Sequence, residues 1–128
     1  MSPESLSDFY RGDIACLNRQ GRESLGAFVH ARAEHNGRPL GLAGYRALLA
    51  ADFRAIPDLR FTIALLVSEP PRIASRLAFD GTPAGVLFGL PVNGRRVRFA
   101  ENVFHELEEG RILRVWSLID TGAIRAQL

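Results

Sequence analysis

The chain is 128 residues long, 47% hydrophobic and 23% charged, with a formal net charge of +2 at pH 7. That length predicts one domain, residues 1–128, whose core stands without staples, and no apolar run approaches the ~20 residues that span a bilayer. The 16 basic residues, every one an arginine, are dispersed rather than gathered into the stripe a nucleic-acid face needs.

From the amino terminus, Ser2 and Pro3 open a helix predicted over Pro3 to Arg19, with Ser2 as its cap. Leu6, Phe9, Tyr10, Ile14 and Leu17 recur at helical spacing and form its apolar stripe. No basic stretch followed by an apolar one precedes them, so the expected location is cytoplasmic. Cys16, the only cysteine, excludes an internal disulfide and sits where a packed thiol belongs. Gly21 breaks the pattern, and a short second helix follows over Arg22 to Val29. Ala33 to Leu40 is polar and reads as a short strand and loop. His35 and Asn36 are binding candidates there, although Asn36-Gly37 can equally supply a bend. A third helix is predicted over Leu42 to Ile56, with Tyr45, Leu48, Leu49, Phe53 and Ile56 inward, stopped by Pro57-Asp58.

Strands follow. Phe61 to Val67 alternates, Pro70-Pro71 makes a turn, and Ile73 to Phe79 is the partner strand. Pro83 to Asn93 is an apolar stretch ending in the hairpin signal Asn93-Gly94. Two long strands, Arg96 to Glu108 and Arg111 to Asp120, join at Glu109-Gly110. A short helix closes the chain over Thr121 to Leu128, with Asp120 or Thr121 able to cap it. Helices first and then an antiparallel meander make an α+β fold, with helices packed on one face of a curved sheet.

The last two strands hold the ionisable candidates. The period of two puts Trp116, Leu118 and Asp120 on one face of the final strand. In that apolar setting the Asp120 carboxyl would titrate high enough for acid/base work, or Asp120 could simply cap the terminal helix. On the preceding strand, alternation groups Glu101 and His105 with apolar neighbours. Glu101 could instead pair with an arginine, and His105 could be a surface residue. A bulge would exchange the faces and bring Asn102 and Glu106 inward. Tyr45, Phe53, Phe79 and Trp116 are candidate pocket walls, together with Phe9, Leu49, Leu87, Phe88 and Leu90. No glycine-rich phosphate loop, zinc-ligand spacing or nucleophile elbow is present. A site without metal or cofactor, working by proton transfer, is what the motifs leave.

The closing stretch NGRRVRFAENVFHELEEGRILRVWSLIDTGAIRAQL resembles the SnoaL-like polyketide cyclases, most specifically in Gly110, Trp116 and Asp120. The fragment FVHARAEHNGRPLGLAGYRALLAADFRAIPDLRF is similar to the first half of the same family, which shares a superfamily with nuclear transport factor 2, ketosteroid isomerase and limonene epoxide hydrolase. One departure is Val115, where the family often has histidine before the tryptophan. The resemblance implies a cone-shaped barrel of curved antiparallel sheet with the helices on its concave face, and a deep pocket for a small apolar ligand. It further implies a homodimer through the outer sheet face, and Asp120 as the acid/base of an intramolecular aldol ring closure, with no cofactor. Val103, Val115 and Ile119 are the expected apolar contributors to that outer face. The rival functions are a ligand-binding module of the same fold and an isomerase or epoxide hydrolase. A hydrolase would need an internal arginine, for which Arg76, beside Asp80, is the candidate.

Overall fold

The computed structural model describes residues 1–128. Its first helix, α1 (Pro3–Asn18), begins at Ser2, whose hydroxyl accepts from the Ser5 amide while Ser5 bonds back to the Ser2 amide. This reciprocal box satisfies donors that a helix start leaves open. Its buried stripe is Leu6, Tyr10, Asp13, Ile14 and Leu17, with Cys16 behind it. The Cys16 thiol donates to the Gly21 carbonyl, and burial raises its pKa, so it is a packed group. The predicted second helix is a 3₁₀ turn, Arg22–Ala27, leading into β1 (Val29–His35). Asn36 and Gly37 both have positive φ and turn the chain into β2 (Arg38–Pro39), the Asn-Gly pair a tight hairpin favours. Helix α2 (Gly41–Ala55) follows.

The strands β3 (Thr62–Glu69), β4 (Arg72–Gly81), β7 (Val97–Glu108) and β8 (Arg111–Ile119) form a meander. With β1 and β2 they make one curved six-stranded sheet in the order β2-β1-β8-β7-β4-β3. The α+β class holds, with two departures from expectation. The sheet is open at β2 and β3 rather than closed into a barrel, and β1 runs parallel to β8. A parallel partner was hidden because β1 and β8 lie at opposite ends of the sequence. Asn18 ties α1 to the sheet at two points, its amide donating to the Phe61 carbonyl and its side-chain oxygen accepting from the Phe61 amide.

The apolar stretch after β4 forms a separate miniature hairpin, β5 (Val86–Leu87) and β6 (Leu90–Pro91). Its turn is Phe88-Gly89, both residues at positive φ (50° and 78°). Asn93-Gly94 also takes positive φ, but joins no paired strands. Leu87 and Val92 anchor the segment in the core, while Phe88 stays half out of it. Helix α3 (Thr121–Ala126) ends the chain, pinned by Ile124.

Register decides which side chains meet the helices. Along β7 alternation holds throughout: Val97, Phe99, Glu101, Val103, His105 and Leu107 face inward, and Asn102 and Phe104 face out. Along β8 it does not. Glu106 pairs with Arg114 and Leu107 with Ile112, so Leu113 is an extra residue. This bulge exchanges the faces of β8 beyond it. Val115, Ser117 and Ile119 therefore turn inward, and Trp116 and Leu118 turn out, the reverse of the strict alternation expected from Arg111 onward. Val103, Val115 and Ile119 consequently do not furnish the outer face.

Candidate active site

Two adjoining cavities lie between the helices and the concave sheet face. The larger, about 240 Å³, has apolar walls from Ala51, Ile56, Phe61, Phe79, Leu87 and Phe99, with Asp52 and Glu101 as its ionisable groups. Phe79 and Phe99 stack at 5.1 Å, and Phe61 meets Phe79 edge-on at 5.4 Å. Phe88, on the hairpin turn, sets its ring edge-on against Phe99 at 6.2 Å. The smaller cavity, about 60 Å³, shares Asp52, Phe61 and Glu101 with the first and continues inward to Tyr10, Asp13, His35, Tyr45 and His105.

The chemistry of these walls follows from their burial. Desolvation pushes the Asp13 carboxyl up to about 7 and the Asp52 carboxyl up to about 6. Burial likewise raises Glu101 to about 7, against the pull of the nearby Ser117 hydroxyl and with the Asp52 charge adding to the rise. His105 is pushed down to about 3 by burial and by His35, so it is neutral in the folded chain. The Tyr10 and Tyr45 phenols are raised by burial as well. Three carboxyls poised between about 6 and 7, with no arginine among the walls, suit proton exchange near neutral pH.

Of the residues singled out from sequence, the structure brings Glu101, His105, His35, Tyr45 and Phe79 to these cavities. Glu101 has no arginine partner, and His105, only 5% exposed, is an interior residue packed against the Tyr10 ring at 5.0 Å. His35 reaches the Ser117 hydroxyl through Nε2 at 3.2 Å and sets its ring against Tyr45. Phe53 is buried behind Phe61 and lines neither cavity. Among the other expected walls, Leu49, Leu87 and Phe88 take part, while Phe9 packs on Phe28 and Leu90 stays outside.

The remaining candidates lie elsewhere. Asn36 accepts from the Ser117 amide and donates to its carbonyl, a backbone mimic extending the pairing of β1 with β8. Asn102, Trp116 and Leu118 sit on the convex face. Arg76 is there too, bonded to Asn102 at 2.9 Å, so the internal arginine that an epoxide hydrolase would use is missing. Asp120 is exposed at the start of α3, where its Oδ1 accepts from the Ala123 amide at 3.0 Å. It borders an outer groove with Arg60, Arg76 and Arg98 and touches neither cavity. The Leu113 bulge is the reason: it turns the face that carries Trp116 and Leu118 outward.

Sequence reasoning passed over Asp13 and Asp52. Each sits on the apolar stripe of its helix, Asp13 between Tyr10 and Leu17 and Asp52 between Leu48 and Ile56. A carboxylate on a buried stripe was the available signal.

The comparisons with known proteins agree with this architecture. A family model described as SnoaL-like polyketide cyclase matches residues 7–128. A crystal structure of a SnoaL-like polyketide cyclase from Agrobacterium tumefaciens strain C58 is 50% identical, covers 99% of this chain and 98% of that one, and superposes with a TM-score of 0.95. TsrD from Streptomyces laurentii is 23% identical over 99% of this chain and 96% of that one, with a TM-score of 0.86. IdmH from Streptomyces antibioticus is 22% identical over 94% and 96% of the two chains, with a TM-score of 0.81. For these last two the likeness is one of fold. A search of curated protein sequences finds no match. With a family model over nearly its whole length and a half-identical neighbour, the chain belongs to the SnoaL-like polyketide cyclase family.

Proposed function

We propose that this protein catalyses proton transfer on a small, largely apolar substrate held between α2 and the sheet, with Glu101 as the acid/base. The observation that carries the reading is the position of Glu101: inward on β7, shared by both cavities, with its carboxyl at about 7. In an aldol-type ring closure, the Glu101 carboxylate takes the proton from a carbon between two carbonyls. The carbanion attacks a carbonyl carbon elsewhere in the same molecule, forming the new carbon–carbon bond. The proton held on Glu101 then passes to the resulting alkoxide, and the carboxylate is restored. The apolar walls hold the substrate folded, which brings the two carbons of this intramolecular step within reach of each other. Burial keeps Glu101 high, the Asp52 charge adds to the rise, and Asp52 is the second proton site.

The first step can be tested without the native substrate. Exchange of the α-proton of ethyl 2-methylacetoacetate for deuterium, followed by NMR, should be accelerated by the protein and rise with pH through about 7. Glu101→Gln should lower the rate by roughly 10²–10⁴-fold. A Glu101→Gln protein with full activity would return the role to another carboxyl. Wild-type protein that binds the ester without exchanging it would favour the binding module.

The same reading includes a homodimer through the convex sheet face. Leu65, Val67, Phe104, Trp116 and Leu118 are all exposed there, Leu118 at 74% and Phe104 at 59%. Five large exposed apolar side chains gathered on one face support a subunit interface there.

A further inference from the structure

We infer that the ligand carries a neutral hydroxyl group at its inner end, on an apolar body about the size of two fused rings, and that analogues ending in a carboxylate are excluded. This rests on the interior chamber being the ligand site. The size follows from the cavities, about 240 and 60 Å³, together the liquid volume of about ten waters at ~30 Å³ each.

The chemistry of the inner end follows from groups the fold leaves without partners. Asp13 Oδ1 and both ring nitrogens of His105 are buried and make no hydrogen bond, and the buried Tyr10 hydroxyl has only the Ser75 hydroxyl beside it. Tyr10, Asp13 and His105 all line the inner cavity, and Asp13 is only 4% exposed. Buried polar groups are normally paired, and leaving one unpaired is costly. This set offers donors, the Tyr10 hydroxyl and one His105 N–H, together with acceptors, the Asp13 carboxyl and the other His105 nitrogen. A hydroxyl satisfies both kinds at once, whereas an ether only accepts. A carboxylate also only accepts, and it would face Asp13, Asp52 and Glu101 with no compensating cation. None of the chain's 16 arginines lines either cavity. The two histidines of the inner cavity, His105 and His35, are both held below the usual histidine range by burial, which closes the remaining sources of positive charge.

Three probes with one body and different ends test this by calorimetric titration of the full chain at pH 7.5: 2-naphthol, 2-methoxynaphthalene and 2-naphthoate. The naphthol should bind at least about tenfold more tightly than either of the others, because a site built around a hydroxyl rejects analogues lacking it. His105→Phe, which fills the same space without the nitrogens, should narrow the gap between naphthol and its methyl ether. Should that variant fail to fold, the three-probe comparison on the wild type still decides. Equal affinity for naphthol and either analogue would overturn the inference while leaving the chamber as a ligand site. If none of the three binds, the chamber reading falls and the inference falls with it.

Discussion

At the scale of single residues, Asp13 and Asp52 occupy places that an amphipathic helix normally gives to aliphatic side chains. The fold accepts them by keeping them protonated, and that has a pH signature. Asp13 titrates at about 7 when folded against 3.8 ordinarily, so between those values the folded chain holds a proton that the unfolded chain releases. Its contribution to stability is therefore lost as pH rises from about 4 to 7. Asp13→Asn should melt with the wild type near pH 4 and be the more stable protein at pH 8, by at most about 4 kcal/mol, the linkage equivalent of that shift. Thermal melts across that range check it; a variant less stable at pH 8 would mean that the carboxylate has a partner. His105 works in the opposite sense. Its folded pKa of about 3 lies below the usual 6.5, so its share of stability is lost as pH falls through that window.

At the scale of elements, one residue in β8 separates what could be read from the sequence from what could not. Alternation placed Glu101 and His105 correctly because β7 runs without irregularity from Val97 to Glu108. The helices were legible from their stripes to within a residue or two, as was the capping role open to Ser2. In β8 the extra residue is Leu113, which follows Ile112, and both are buried. Two adjacent buried aliphatics carry no mark of which is the insertion, so the faces of Trp116, Leu118 and Asp120 could not be assigned from periodicity. The terminal helix shows the consequence. Asp120→Ala should cost about 1 kcal/mol through the lost bond to the Ala123 amide, while Asp120→Asn should cap nearly as well. Full exchange activity in both variants is expected, since the carboxylate is outside the cavities; loss of activity in a folded Asp120→Asn protein would contradict that placement.

At the scale of the whole molecule, much of the charge is paired with charge and one sheet face is largely apolar. The charged side chains pair along the rims, as in the Arg114 contacts with Glu34 and Glu106 and the two-point contact of Arg96 with Asp80. The convex face carries Leu65, Val67, Phe104, Trp116 and Leu118 around a single polar pair, Arg76–Asn102, which lies in register between Leu65 and Leu118. Leu118→Arg places a charge in that patch and, being exposed, does not disturb the core. Light scattering at tens of micromolar should give twice the chain mass for the wild type and a monomer for Leu118→Arg. A wild-type monomer would count against the dimer. No helix is long and apolar enough to cross a membrane.

The hairpin turn at Phe88-Gly89 has a consequence for the traffic of ligands. A tight turn with both central residues at positive φ favours asparagine in the first place, and a bulky side chain there costs of order 1–3 kcal/mol. That cost lowers the closed hairpin's advantage over alternative turn shapes, while the contact of Phe88 with Phe99 acts the other way. Leu87 and Phe88 line the larger cavity, so the conformation of this hairpin shapes that cavity's wall. A bound ring set against Phe88 and Phe99 would add to their edge-on contact and offset the cost of this turn, so ligands that bring such a ring should leave most slowly.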